Sequence, residues 1–212
     1  MSVYRDHAWL FIFSAAAFNA SGAPITGFLW NVTDLVAQNA ILANVPGTPP
    51  NVTFSVNSPL NFDNGGSVND FLTSGGAFNI VGSVADLSRS ISPSLLEFIG
   101  MVSVTNGQQF TVTHDDGLTL NIGGLDVITA SGPTPPTHTT ATYTGPTGNL
   151  PFTLVYGECC GGSAVLQVGL PLQPASGTPE PGSFGLIAGG LPTLGSLYSR
   201  THRPMRRRMG VS

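Results

Sequence analysis

Asp115 and Asp116 stand side by side, with His114 before them and Gly117 immediately after. Asp-Gly is a strong turn signal, because glycine accepts positive φ without strain. Two carboxylates crowded into one turn repel each other unless a cation lies between them. Oxygen-rich loops of this kind suit a hard cation, so Asp115 and Asp116 are candidate metal ligands for Ca²⁺. A solvated acidic turn is the plain alternative, and the residue types alone leave both open. Glu158 and His114 are the further candidate ligand-binding side chains. A histidine beside an aspartate is also an ordinary polar strand end.

Catalytic chemistry has little support. Glycosidase carboxylates flank the bond they cleave, about 5–10 Å apart, which neighbours in one turn do not easily arrange. A hydrolase would need Asp126 or Glu158 to partner the pair across the fold. His7, His114, His138 and His202 are scattered, and no zinc-protease, nucleophile-elbow or phosphate-loop pattern occurs. The expectation is therefore a non-catalytic protein. Cys159 and Cys160 are the only cysteines, and neighbours close a ring only with a strained backbone. Two loop thiols are expected, with a vicinal disulfide or redox pair as the alternative.

The elements that would position the acidic turn are strands. Phe110-Thr111-Val112-Thr113 alternates before it, and Leu118-Thr119-Leu120-Asn121-Ile122 alternates after it. This period of two predicts a hairpin with Phe110, Val112, Leu118, Leu120 and Ile122 facing a core and Thr111, Thr119 and Asn121 facing away. Phe152, Leu154, Tyr156, Leu166 and Val168 extend the same core, with Thr153 and Gln167 opposite. Strands are also predicted over Ile25 to Trp30, Val52 to Val56, Glu97 to Val104, Asp126 to Thr129 and Thr140 to Thr144. Asn106-Gly107 reads as a hairpin turn, Leu35 to Ala43 as a short helix or loop, and residues 57–79 as a long loop. Many short strands at this spacing predict an all-β fold, an antiparallel β-sandwich of jelly-roll type.

Lysine is absent, charged residues are 8 %, and Gly (27) and Pro (17) are abundant, which fits an exported all-β protein. Between Pro24 and Gln173 nine acidic residues face one arginine, Arg89, a net of −8. Such a body excludes nucleic-acid binding by counter-ion release and favours cations. The ends differ from the body. Arg5 precedes an apolar run from Ala8 to Phe18, followed by Ala20-Ser21-Gly22-Ala23, the order of an export signal. A first buried strand is the alternative for that run. At the other end Phe184 to Tyr198 is small and apolar and leads to Arg200, Arg203, Arg206, Arg207 and Arg208.

Two resemblances follow. Phe110-x-Val-x-x-Asp-Asp-Gly-x-x-Leu-x-Ile-Gly, then Phe152-x-Leu-x-Tyr and Gly-Gly-x-Ala-Val-Leu-x-Val, resembles the protective-antigen-type β-sandwich module of bacterial toxins, glycosidases and fungal flocculins. The match spans residues 97–171. It implies that Asp115 and Asp116 hold Ca²⁺ that coordinates sugar hydroxyls, with an extracellular polysaccharide as partner. The tail, Pro179-Glu180-Pro181 before the apolar stretch and Arg206, Arg207 and Arg208 after it, resembles the PEP-CTERM sorting tail of Gram-negative bacteria. That implies a short membrane helix, a transient inner-membrane anchor and removal by an exosortase, with arginines favoured on the cytoplasmic side. The expected organisation is a signal peptide at 1–23, a sandwich at 24–173, a linker at 174–181 and a sorting helix with basic end at 182–212. The expected destination is the cell surface or extracellular matrix. A purely structural matrix protein with the same fold and no ligand is the alternative.

Overall fold

Runs of alternating Thr, Val, Leu and Phe broken by Gly and Pro favour short strands, because branched and aromatic side chains pack well on a pleated surface. The computed structural model of the chain describes residues 23–171. It contains the strands β1 (Ile25–Asn31), β2 (Val52–Val56), β3 (Leu60–Asp63), β4 (Phe78–Gly82), β5 (Ser94–Val104) and β6 (Gln109–Asp115). They continue with β7 (Leu118–Ile122), β8 (Leu125–Ala130), β9 (Thr137–Thr142), β10 (Gly148–Glu158) and β11 (Val165–Val168). Three short helices, α1 (Asp34–Gln38), α2 (Val68–Ser74) and α3 (Val84–Ser88), lie between strands. One sheet has the order β4-β2-β1-β5-β10-β7-β8 and the other β3-β11-β6-β9. Every strand pairing within them is antiparallel.

The apolar faces of the two sheets meet in one core. All ten residues predicted to be buried, from Phe110 to Val168, are at most 3 % exposed. Phe54, Phe62 and Phe98 pack on one another, Phe62 stacks on Phe71, and Phe71 stacks on Tyr156 at a centroid distance of 6.0 Å. This aromatic column ends at the acidic turn, since Tyr156 carries its hydroxyl there.

Alternation identifies a strand's face but not its partner, and two expected hairpins are therefore absent. β6 belongs to the four-stranded sheet and β7 to the seven-stranded one, so the acidic turn is a corner between sheets. The Asn106-Gly107 turn likewise carries the chain from β5 across to β6. Residues 57–79 are not a long loop, since they hold β3, α2 and the first two residues of β4. The helix signal was present as Ser67-x-x-Asp70: Asp70 N donates to Ser67 Oγ, and Ser67 N donates to Asp70 Oδ2, a capping box. Thr119 is buried rather than exposed, at 2 %. The outer face of the seven-stranded sheet is covered there, where Ala40, Leu95 and Val155 form a second small core with Val32, Val36 and Val45.

Glycine allows that covering segment to close on the site. A β-carbon on Gly157 would collide with the Ala37 carbonyl, and one on Gly117 would come within 2.6 Å of the Gln38 oxygen. Among the described residues no helix is long and apolar enough to cross a membrane. The expected export signal, bar its last residue, lies outside the described residues, as do Pro179, Glu180, Pro181, Arg206, Arg207, Arg208 and the sorting helix.

Candidate functional site

β6 ends at Asp115 and β10 ends at Glu158, and the two strand ends meet at one edge of the sandwich. Asp116 N donates to Gly157 O at 3.4 Å and Gly157 N donates to Gly117 O at 2.9 Å, which ties the acidic turn to the end of β10. One carboxylate oxygen from each of Asp115, Asp116 and Glu158 lies within 4.8 Å of the others. The peptide between Asp115 and Asp116 is cis.

Each carboxylate is held differently. Asp116 Oδ1 accepts from Thr134 N at 2.8 Å and its Oδ2 accepts from Cys159 N at 2.7 Å. Asp115 Oδ2 receives only the Ser163 hydroxyl, at 3.4 Å. Glu158 Oε2 accepts from the Tyr156 hydroxyl at 2.9 Å, and that hydroxyl also lies against the Asp115 carbonyl. Asp115, Asp116 and Glu158 are 8 %, 3 % and 1 % exposed. Burial disfavours the charged forms of Asp115 and Glu158. It pushes the Glu158 carboxyl up to about 8; the Tyr156 hydroxyl opposes this, and the charges of Asp116 and Asp115 add to it. Burial, with Asp116 as second cause, also raises the Asp115 carboxyl. Tyr156 is pushed well above its usual value by burial and by the neighbouring carboxylates.

Among the described residues Arg89 is the one arginine, and its guanidinium is spent on Ser90 O at 2.8 Å and Ser94 Oγ at 3.0 Å. Three carboxylates thus share a poorly hydrated corner without a basic partner. An all-oxygen donor set from two chain segments is what a hard divalent cation requires, so Asp115, Asp116 and Glu158 fit Ca²⁺. A pocket of 390 Å³ opens above the two aspartates. Pro133, Pro135 and Pro136 line it together with the segment from Cys160 to Ser163.

The sequence candidates separate in space. Asp115, Asp116 and Glu158 converge. His114 is fully buried beneath them, donating from Nδ1 to the Asp116 carbonyl while Nε2 meets the Thr139 hydroxyl at 2.8 Å. Its expected place at the ligand surface is therefore taken by a supporting role under the turn. Asp126 lines a different depression, with Thr119, Asn121 and Ile41, and accepts from Asn121 at 2.8 Å. Tyr156 was legible only as a core residue, and nothing in its alternation announces the hydroxyl bond to Glu158. Cys159 and Cys160 are joined in a vicinal disulfide, where loop thiols were expected. Cys160, Gly161 and Gly162 have φ of +66°, +76° and +125°, so the chain turns directly after the disulfide.

No family model matches the chain, and no curated protein matches it. Among solved structures, a PA14 sugar-binding domain from an RTX adhesin superposes with a TM-score of 0.50 at 18 % identity, covering 68 % of this chain and 89 % of that one. The PA14 domain of the MpAFP antifreeze protein superposes with a TM-score of 0.51 at 20 % identity, covering 79 % and 90 %. At these identities the likeness is one of fold, and the described body is a PA14-like β-sandwich.

Proposed function

We propose that this chain is a non-catalytic binding module that holds Ca²⁺ on Asp115, Asp116 and Glu158 and presents it to the hydroxyls of an extracellular glycan. The observation that carries this is the convergence of those three carboxylates, buried and, among the described residues, without a basic partner, with Asp115 and Asp116 lining an open pocket. A bound cation would supply the positive charge the site lacks and leave coordination positions toward the pocket for sugar oxygens. The PA14-like fold supports the reading, since one solved domain of that fold is described as sugar-binding and belongs to an adhesin. The spacing speaks against hydrolysis. Asp115 and Asp116 are neighbours in one turn, an arrangement that does not readily set an acid and a nucleophile on opposite sides of a glycosidic bond.

Export to a cell surface or matrix belongs to the same proposal. The leader-like start, the Pro179-Glu180-Pro181 motif and the arginine-rich end support sorting by an exosortase-type enzyme after a transient stay at the inner membrane. Calorimetric titration of the purified chain with CaCl₂, followed by a glycan array with and without chelator, tests the function. Saturable Ca²⁺ binding and chelator-sensitive glycan binding are expected. Absence of Ca²⁺ binding leaves a structural matrix protein, and Ca²⁺ binding with turnover on oligosaccharides overturns the non-catalytic assignment.

A further inference from the structure

The turn after β10 touches both aspartates. At its start the Cys159 amide donates to Asp116 Oδ2 at 2.7 Å, and at its end the Ser163 hydroxyl reaches Asp115 Oδ2 at 3.4 Å. Between these contacts Cys160, Gly161 and Gly162 all take positive φ. Glycine adopts that region freely, but a residue with a side chain stays there only when its surroundings hold it. For Cys160 the strongest restraint is the covalent bond to Cys159, which closes a small ring around the joining peptide. The other anchors are light: Gln38 Nε2 on Cys160 Sγ at 3.2 Å and Gly161 N on Ser92 Oγ at 3.3 Å. The two cysteines also differ in access. Cys159 is 1 % exposed, whereas Cys160 is exposed and lines the pocket beside Asp115 and Asp116.

We infer that Cys159–Cys160 is a thiol–disulfide exchange site that gates the acidic pocket, admitting small dithiols at Cys160 and fixing the two aspartates only while oxidised. The gating half rests on the cation site proposed above. In the exchange, one thiolate of the dithiol attacks Cys160 Sγ, a mixed disulfide forms and Cys159 leaves as a thiolate that takes a proton. The second thiol of the reductant then attacks its own sulfur in the mixed disulfide and releases Cys160. Two electrons and two protons pass to the protein, which gains two thiols, and the reductant departs as a cyclic disulfide. Without the ring, Cys160 is free to leave positive φ. Ser163 then leaves Asp115, because the chain between the ring and Ser163 runs through the residue whose φ changes. The Cys159 amide, in the peptide just before the ring, loses the restraint that holds it toward Asp116.

The test uses the full chain, oxidised and after treatment with dithiothreitol that is then removed under inert gas. Thiol titration, far-ultraviolet circular dichroism and calorimetry with CaCl₂ are read on both forms. The expectation is two new thiols, unchanged β-sheet signal and Ca²⁺ affinity lower by about tenfold, the size of one lost charge-assisted hydrogen bond. Reoxidation should restore the affinity, and the Cys159→Ser/Cys160→Ser double variant should bind as weakly as the reduced protein without any reductant. Equal Ca²⁺ affinity in both redox states leaves the cation site standing and overturns the gate alone. No Ca²⁺ heat even when oxidised overturns the cation site and the gate with it. No thiols released from the folded protein overturns the exchange site, and loss of the β-sheet signal on reduction shows a staple for the whole fold rather than a local gate.

Discussion

The Tyr156 hydroxyl donates to Glu158 Oε2 at 2.9 Å from within the core, so the last side chain of the aromatic column also supports a carboxylate of the acidic site. Packing and chemistry are joined at that bond. Whatever changes the charge on Glu158 acts on a group anchored to the interior.

The first prediction is a pH dependence of stability without Ca²⁺. Glu158 titrates near 8 when folded, against 4.5 for an unhindered glutamate. Between those values the folded chain holds a proton that the unfolded chain has lost, so stability falls as pH rises. The contribution is fully present below about pH 4.5, declines by at most about 1.4 kcal/mol per pH unit and levels off above pH 8. The upward displacement of Asp115 acts in the same direction. Denaturant unfolding in chelator at pH 5 and pH 8 checks this. Glu158→Gln should flatten the slope, and saturating Ca²⁺ should raise stability at pH 8.

A second prediction separates support from charge at Asp116. Its two oxygens accept from Thr134 N and Cys159 N, and truncation would leave both amides without their acceptor. Asp116→Ala should cost about 2–4 kcal/mol, counting about 1–2 for each partly buried amide left unpaired. Asp116→Asn keeps one acceptor and should cost roughly half as much, while abolishing Ca²⁺ binding as completely as the alanine. Urea unfolding with parallel calorimetry reads the difference.

How far the sequence disclosed this arrangement follows from which forces are local. Alternation over Leu118 to Ile122 and Phe152 to Tyr156 reports burial on one face, because a slip by one residue would turn every large apolar side chain outward. It does not report pairing, and so Asp115-Asp116-Gly117 passed for a hairpin when it is a corner between sheets. The meeting of Asp115 and Asp116 with Glu158 depends on where β6 and β10 end, a non-local relation no window of residues contains. Thr119 was misplaced for a similar reason, since its cover comes from the segment near Leu42, far away in the chain. Ser67-x-x-Asp70, by contrast, was a local signal hidden among glycines and asparagines.

A third prediction concerns Gly157. Its missing β-carbon gives the Ala37 carbonyl its place, while its amide donates to Gly117 O at 2.9 Å. Gly157→Ala pushes backbone against backbone, where no rotamer change relieves the contact, and should cost about 1–3 kcal/mol. Because Asp116 N donates to Gly157 O, Ca²⁺ affinity should fall as well. Gly76→Ala, which meets no heavy atom within 4 Å but sits at φ +69°, should lose stability through its backbone alone and keep its Ca²⁺ affinity.

The last prediction is that the mature protein keeps neither end of the sequence. The acidic body carries a single arginine, whereas five of the seven arginines lie at Arg200 or later, beyond a small-and-apolar stretch. On this prediction the apolar start would direct the chain into the export machinery, and the body would follow because it holds so few positive charges. The terminal arginines favour the cytoplasmic side, so the apolar stretch from Phe184 to Tyr198 would halt in the membrane. At 15 residues, with Pro192 within it, that stretch falls short of the ~20 a stable span needs and suits a temporary anchor. Cleavage is expected near Ala23 and close to Pro179-Glu180-Pro181. Intact-mass measurement of the protein recovered from the cell surface or medium decides it: a species still carrying Arg206 to Arg208 rules out removal of the tail, and protein found only in the cytosol overturns both signals.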